Sequence, residues 1–106
     1  MAEILHELIL VISNKGYTHE LMEVAKEHGA RGGTVLHAKG TADAETAQFF
    51  GIKIQPEKEI ILIVVPKELT ENIMKSLSEE YGTHTKVSAL SFSLPVTNLC
   101  GFVFDK

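Results

Sequence analysis

At 106 residues the chain is long enough for about one hydrophobic core and short for two. Apolar residues make up 44% and charged ones 23%, with a formal net charge of -4, an ordinary globular balance. That charge argues against nucleic acid or an anionic membrane surface as a partner, because such binding needs clustered Lys and Arg. The lone Cys100 excludes a disulfide within the chain, so a reducing, cytoplasmic setting is expected. The sequence shows neither a basic-then-apolar leader nor an apolar run near the roughly 20 residues of a membrane span, so no membrane insertion is expected.

In chain order, strand and helix signals alternate. Glu7 to Ser13 is a short apolar run ended by Asn14, Lys15 and Gly16, the pattern of a buried strand followed by a turn. Thr18 is placed to cap a helix in which Leu21, Val24, Ala25 and His28 recur at helical spacing. Gly29 suits the left-handed position that stops such a helix, and Gly32 and Gly33 would let backbone approach something closely. The β-branched start of Thr34 to Lys39 predicts a strand that delivers the chain into a loop at Gly40. The stretch from Gly29 to Thr41 carries three glycines before Gly40, the only arginine and a lysine around a short apolar run. It reads either as a tight helix-to-strand connection or as a place where exposed backbone N–H groups and Lys39 meet an anion.

From Thr41 to Glu57 the pattern is least regular. Asp43 or Thr41 would cap one or two helical turns through Ala44 to Phe50, ended by Gly51. The adjacent Phe49 and Phe50 call for a packing partner, either the protein's own core or another molecule. Glu59 to Val65 is apolar after its first position and closed by Pro66, a second buried strand. Leu69, Ile73, Leu77 and Tyr81 recur four apart and Gly82 ends that helix. From Ser88 to Val96 the alternation puts Leu90, Phe92, Leu94 and Val96 on one face and Ala89, Ser91, Ser93 and Pro95 on the other.

Strand, helix, strand, strand, helix, strand is the order of the split βαβ plan. The expected fold is therefore α+β: one ferredoxin-like domain over residues 1–106, a βαββαβ sandwich whose four-stranded antiparallel sheet carries two helices on one face. Leu8 to Ile12 and Ile60 to Val65 are apolar at successive positions, so large side chains reach both faces of that sheet. Each fully buried Ile, Leu or Val contributes about 1.5 to 3 kcal/mol, and a patch of them left bare exceeds what a soluble monomer tolerates. A homo-oligomer that buries the open face is expected. The competing expectation is that the segment from Thr41 to Glu57 folds back over it.

The strand GGTVLHAKGT, the run PEKEIILIVVPKE and the order of elements resemble the PII nitrogen-regulatory signalling proteins over most of the chain. The resemblance implies a homotrimer of ferredoxin-like subunits that binds ATP, ADP or another small anionic effector in clefts between subunits. It also implies a mobile loop after the second strand that controls a regulated protein such as a transporter or enzyme. Carried over by position, it assigns Gly32, Gly33 and Thr34 to the adenine, Lys39 and Gly40 to the start of the mobile loop, Lys58 to the strand after it and Val64 to the cleft wall. In this sequence that loop carries Asp43, Phe49 and Phe50, which would either present it to a partner or fold it down onto its own subunit.

The sequence departs from that family in three places. The glycine-rich phosphate loop is replaced by YGTHTKVSA, which retains Lys86. No arginine follows Arg31, so phosphate charge falls to Lys39, Lys58, Lys86 or Arg31, and lysine gives no bidentate fork. The mobile loop is shorter and has no tyrosine for uridylylation.

Two other classes fit less of the sequence. A metal-binding trimeric module of the divalent-cation-tolerance type would use His37 or His84 with carboxylates, though no histidine pair has the close spacing of a helical or hairpin metal site. A small hydrolase would use Cys100 or His37. The expected function is regulatory and not enzymatic, with no catalytic or metal residues assigned.

Overall fold

The computed structural model describes residues 3–41, 48–49, 52–53 and 56–101, the two short pieces by their backbone alone. Strand β1 spans His6–Asn14, helix α1 Thr18–Glu27, β2 Thr34–Lys39, β3 Gln48–Phe49, β4 Ile52–Lys53, β5 Glu57–Pro66, α2 Lys67–Tyr81 and β6 Leu90–Val96. Four strands form one antiparallel sheet in the order β2-β5-β1-β6, and β3 and β4 form a separate two-stranded sheet. Each helix thus connects two strands that flank a third, as the split βαβ plan requires.

Alternation of side chains along the strands divides the apolar residues between two faces. On the helix side, Ile9 and Val11 of β1 and Ile61, Ile63 and Val65 of β5 are buried against Leu21, Val24 and Ala25 of α1 and Ile73 and Leu77 of α2. On the other side the register aligns Leu94, Leu8 and Val64 in one row, and Phe92, Leu10, Leu62 and Thr34 in the next. A third row holds Leu90, Ile12, Ile60 and Leu36. At the margins of this face Leu36, Leu90, Phe92 and Leu94 remain between 41% and 56% exposed.

Helix α1 ends as its sequence dictates. Gly29 sits at φ +106°, the Gly29 N–H donates to the Lys26 carbonyl at 3.1 Å and the Ala30 N–H to the Ala25 carbonyl at 3.0 Å. That pair of bonds satisfies carbonyls the helix leaves open. Two local expectations are corrected, at Thr18 and in the stretch through Phe50. Thr18 is the first helical residue and makes no side-chain cap bond; Tyr17 precedes it and its carbonyl accepts the Leu21 N–H at 3.1 Å. Gly82 does stop α2, but in extended geometry, and a Cβ there would collide with the Ser78 carbonyl. The helical turns expected through Phe50 are not formed at 48–49, where Gln48 pairs with Lys53 and Phe49 with Ile52 in a ladder. The rest of that stretch, including Asp43 and Phe50, lies outside the described residues.

Candidate functional site

Strand β2 places the predicted ligand residues at its two ends. At its start, Arg31, Gly32, Gly33, Thr34, Leu62 and Val64 line an open cleft of about 440 Å³. Four of these are the residues assigned above to a nucleotide cleft. Arg31 adds the one guanidinium of the sequence, and Leu62 was read only as a strand residue.

The two glycines of the cleft differ. A Cβ on Gly33 would lie 2.9 Å from Ile61 Cγ2, 3.1 Å from the Leu62 carbonyl oxygen and 3.1 Å from Met22 Sδ, so Gly33 lets β2 close onto its own core. A Cβ on Gly32 would meet nothing within 4 Å. The cleft therefore offers exposed backbone at Gly32 over a floor of Leu62 and Val64, which suits a flat, weakly polar group more than a bare anion.

At the far end of β2, about 17 Å along the strand from Thr34 to Lys39 at the usual rise per residue, stand Lys39, Gly40 and Lys58. The Gly40 N–H donates to the Pro56 carbonyl at 2.8 Å, and this bond closes the base of the segment between β2 and β5. The Lys58 stem runs beneath Gly40, where an added Cβ would meet its Cε at 3.2 Å. Register separates the two lysines: Lys39 is aligned with Glu57, whereas Lys58 is aligned with Ala38 and Asn14. Alternation puts Lys39 on the helix side of the sheet and Lys58 on the open side.

On each face, this far end of the sheet is tied to the β1–α1 turn by a different residue of β5. Glu59 is buried; its Oε1 accepts the Gly16 N–H at 2.8 Å and its Oε2 lies 3.3 Å from His37 Nδ1. The His37 side chain is 79% exposed, so the pair adds little beyond orientation, while the buried carboxylate fixes the turn. Lys58 Nζ donates to Asn14 Oδ1 at 2.7 Å. Lys15 Nζ lies 3.5 Å from Glu57 Oε2 on the surface, a contact of small energetic weight.

The segment that replaces a glycine-rich phosphate loop is compact. The Thr85 N–H donates to the Gly82 carbonyl at 3.0 Å, Ser88 N–H to the Thr85 carbonyl at 3.1 Å and Ala89 N–H to the Tyr81 carbonyl at 2.8 Å. Three of its backbone donors are thus committed within the segment. Cys100 is exposed, and among the described residues no three of His, Cys, Asp and Glu converge as metal ligands. No described helix is long and apolar enough to cross a membrane.

Residues 6–100 match the family described as nitrogen regulatory protein P-II. The chain belongs to that family. No curated protein matches it. Among solved structures it is similar to a candidate PII-like signaling protein from Thermus thermophilus, at 21% identity over 91% of this chain and 90% of that one, with a TM-score of 0.67. It is also similar to CPII, a nitrogen regulatory PII-like protein from Thiomonas intermedia K12 bound to ADP, AMP and bicarbonate, at 13% identity over 86% and 89%, TM-score 0.64. GlnK of B. subtilis, in complex with ATP, aligns at 14% identity over 90% and 86%, TM-score 0.68. At these identities the structures establish the shared ferredoxin-like fold. The family adds that this P-II chain belongs among signalling proteins.

Proposed function

We propose that this P-II chain is a non-enzymatic cytoplasmic regulator, a homotrimer whose subunits meet through their open sheet faces and bind a nucleotide or another small anion in the clefts between them. The observation that carries the reading is the apolar grid of β2, β5, β1 and β6: its three rows place nine Leu, Ile and Phe residues plus Val64 on the side opposite both helices. Four of the ten are 41% to 56% exposed and the others are already partly covered, so at about 1.5 to 3 kcal/mol for a full burial, closing the whole face would contribute on the order of 5 kcal/mol per subunit. A threefold arrangement would bring further side chains to the cleft at Gly32, Gly33 and Thr34, which is open on one subunit alone.

In this reading Leu62 and Val64 floor the site of a flat ring, Arg31 meets charge beside it, and Lys58 serves a second anionic group at the base of the loop. Lys39 and Gly40 mark where that loop begins, and Asp43, Phe49 and Phe50 present it to a regulated protein such as a transporter or enzyme. Nitrogen metabolism is the setting the family description suggests. A ligand acts by binding one loop conformation better than another, so the shift in partner binding is bounded by that difference in affinity.

The test joins sedimentation to calorimetry with ATP, ADP, 2-oxoglutarate and bicarbonate. The expected result is a trimer at micromolar concentration that binds at least one of these, with Lys58→Ala weakening an anion about tenfold while the trimer persists. A stable monomer, or a trimer that binds none of them, overturns the reading.

A further inference from the structure

One side chain joins Lys58 to the segment between α2 and β6. Asn14, the last residue of β1, accepts from Lys58 Nζ through Oδ1 at 2.7 Å and donates from Nδ2 to the Lys86 carbonyl at 2.9 Å. Its backbone N–H donates to the Val87 carbonyl at 3.0 Å. The segment it grips holds Ser88 at φ +52°, the one non-glycine with positive φ among the described residues. A serine there is strained and persists only where its neighbours over-determine it. Asn14 supplies two of the bonds that do so, at the two residues before Ser88.

We propose that Asn14 is a positioning residue that holds the Lys58 ammonium in place and transmits its displacement to residues 82–89. The inference rests on Lys58 as an anion ligand. A neutral amide suits this role because it takes one of the three ammonium donors and leaves two, and the positive charge, for an incoming carboxylate or carbonate oxygen. An aspartate at this position would orient Lys58 equally well but cancel the charge the anion needs. It would also replace the donor to the Lys86 carbonyl with a repelling oxygen. An anion that takes the two remaining donors shifts Lys58, and Asn14 carries that shift through its bonds to the Lys86 and Val87 carbonyls.

The experiment is ¹⁵N–¹H spectroscopy with hydrogen exchange on the full chain, comparing wild type, Lys58→Met and Asn14→Asp, with amides of Ile9, Ile61 and Ile63 as the check that each variant is folded. Lys58→Met is expected to shift the Asn14 side-chain amide and the backbone amides of Val87 and Ser88. It should also speed exchange at Ser88 and Ala89 about tenfold, the loss of one net hydrogen bond. Unchanged signals at 82–89 in Lys58→Met overturn the proposal. Bicarbonate and succinate serve as probes of the anion arm, where Asn14→Asp should weaken binding about tenfold or more by charge compensation. If wild type binds neither probe, the anion reading of Lys58 fails, and the Lys58→Met comparison still decides whether Asn14 couples the two elements. If Asn14→Asp binds a probe as tightly as wild type, the claim that a neutral amide leaves the Lys58 charge for the anion is overturned.

Discussion

A methyl group added at Gly33 would press on Ile61, Met22 and the Leu62 carbonyl, whereas one added at Gly32 would enter open space. Gly33→Ala should therefore cost about 1 to 3 kcal/mol, in the range of overpacking, and Gly32→Ala should be close to neutral. Urea denaturation of the two variants checks the contrast, and equal losses would show that β2 does not close on the core at Gly33. Glu59 and His37 form a second contrast within one pair. Glu59→Ala removes the acceptor of the Gly16 N–H and should cost about 1 to 3 kcal/mol, while His37→Ala, at an exposed side chain, should cost less than about 1 kcal/mol. Equal losses in thermal unfolding would assign the turn's stability to the ion pair, which both variants remove. Residue by residue, the sequence pointed to four of the six residues that line the cleft, but not to Leu62 on its floor nor to any of the pairings. Gly32 and Gly33 look alike in a string of letters, and only the approach of β5 makes one obligatory. Asn14 reads as a turn former, because its partner Lys58 is 44 positions away.

The elements were legible where local and tertiary preferences agree. Two apolar runs, ended by Asn14-Lys15-Gly16 and by Pro66, became β1 and β5, and both helices followed their apolar spacing. They failed where the signals conflict. Thr41 and Asp43 look like helix caps, yet Phe49 and Ile52 flank Gly51 as a pair that a hairpin would bring together, and the ladder at 48–53 favours cross-strand pairing of large residues. Parity was illegible too. Lys39 and Lys58 look like one cationic group until register sends them to opposite faces, which no reading of a single strand reveals. Helix α2 carries an unusual feature of its own: Thr70 is buried and its Oγ1 has no hydrogen-bond partner among the described residues. A buried hydroxyl without a partner is a liability that an apolar group of nearly the same shape removes. Thr70→Val should raise stability by up to about 1 kcal/mol. A clear loss in a denaturant titration would mean that the hydroxyl is bonded in solution.

At the scale of the whole molecule, the two faces of one sheet set different requirements. The helix side closes within the subunit, since Ile9, Val11, Ile61, Ile63 and Val65 are buried by α1 and α2. The opposite side cannot close that way, because both helices are already spent on the first face. Among the described residues, β3 and β4 form a sheet separate from the main one. If sister subunits cover the open face, as proposed above, the response to substitution is asymmetric. Phe92→Glu would place a charge in the row of Leu10 and Leu62, where an unpaired carboxylate is costly in an interface but harmless at a surface that is already 41% exposed. The variant should keep its helical signal and lose the trimer, with its sedimentation coefficient falling to that of one chain. The cleft at Gly32, Gly33 and Thr34 would then lose whatever walls the neighbouring subunits provide, so nucleotide affinity should fall with assembly though no cleft residue is altered. Retention of the trimer in Phe92→Glu would move the interface off this face and require another explanation for three rows of apolar side chains turned away from both helices.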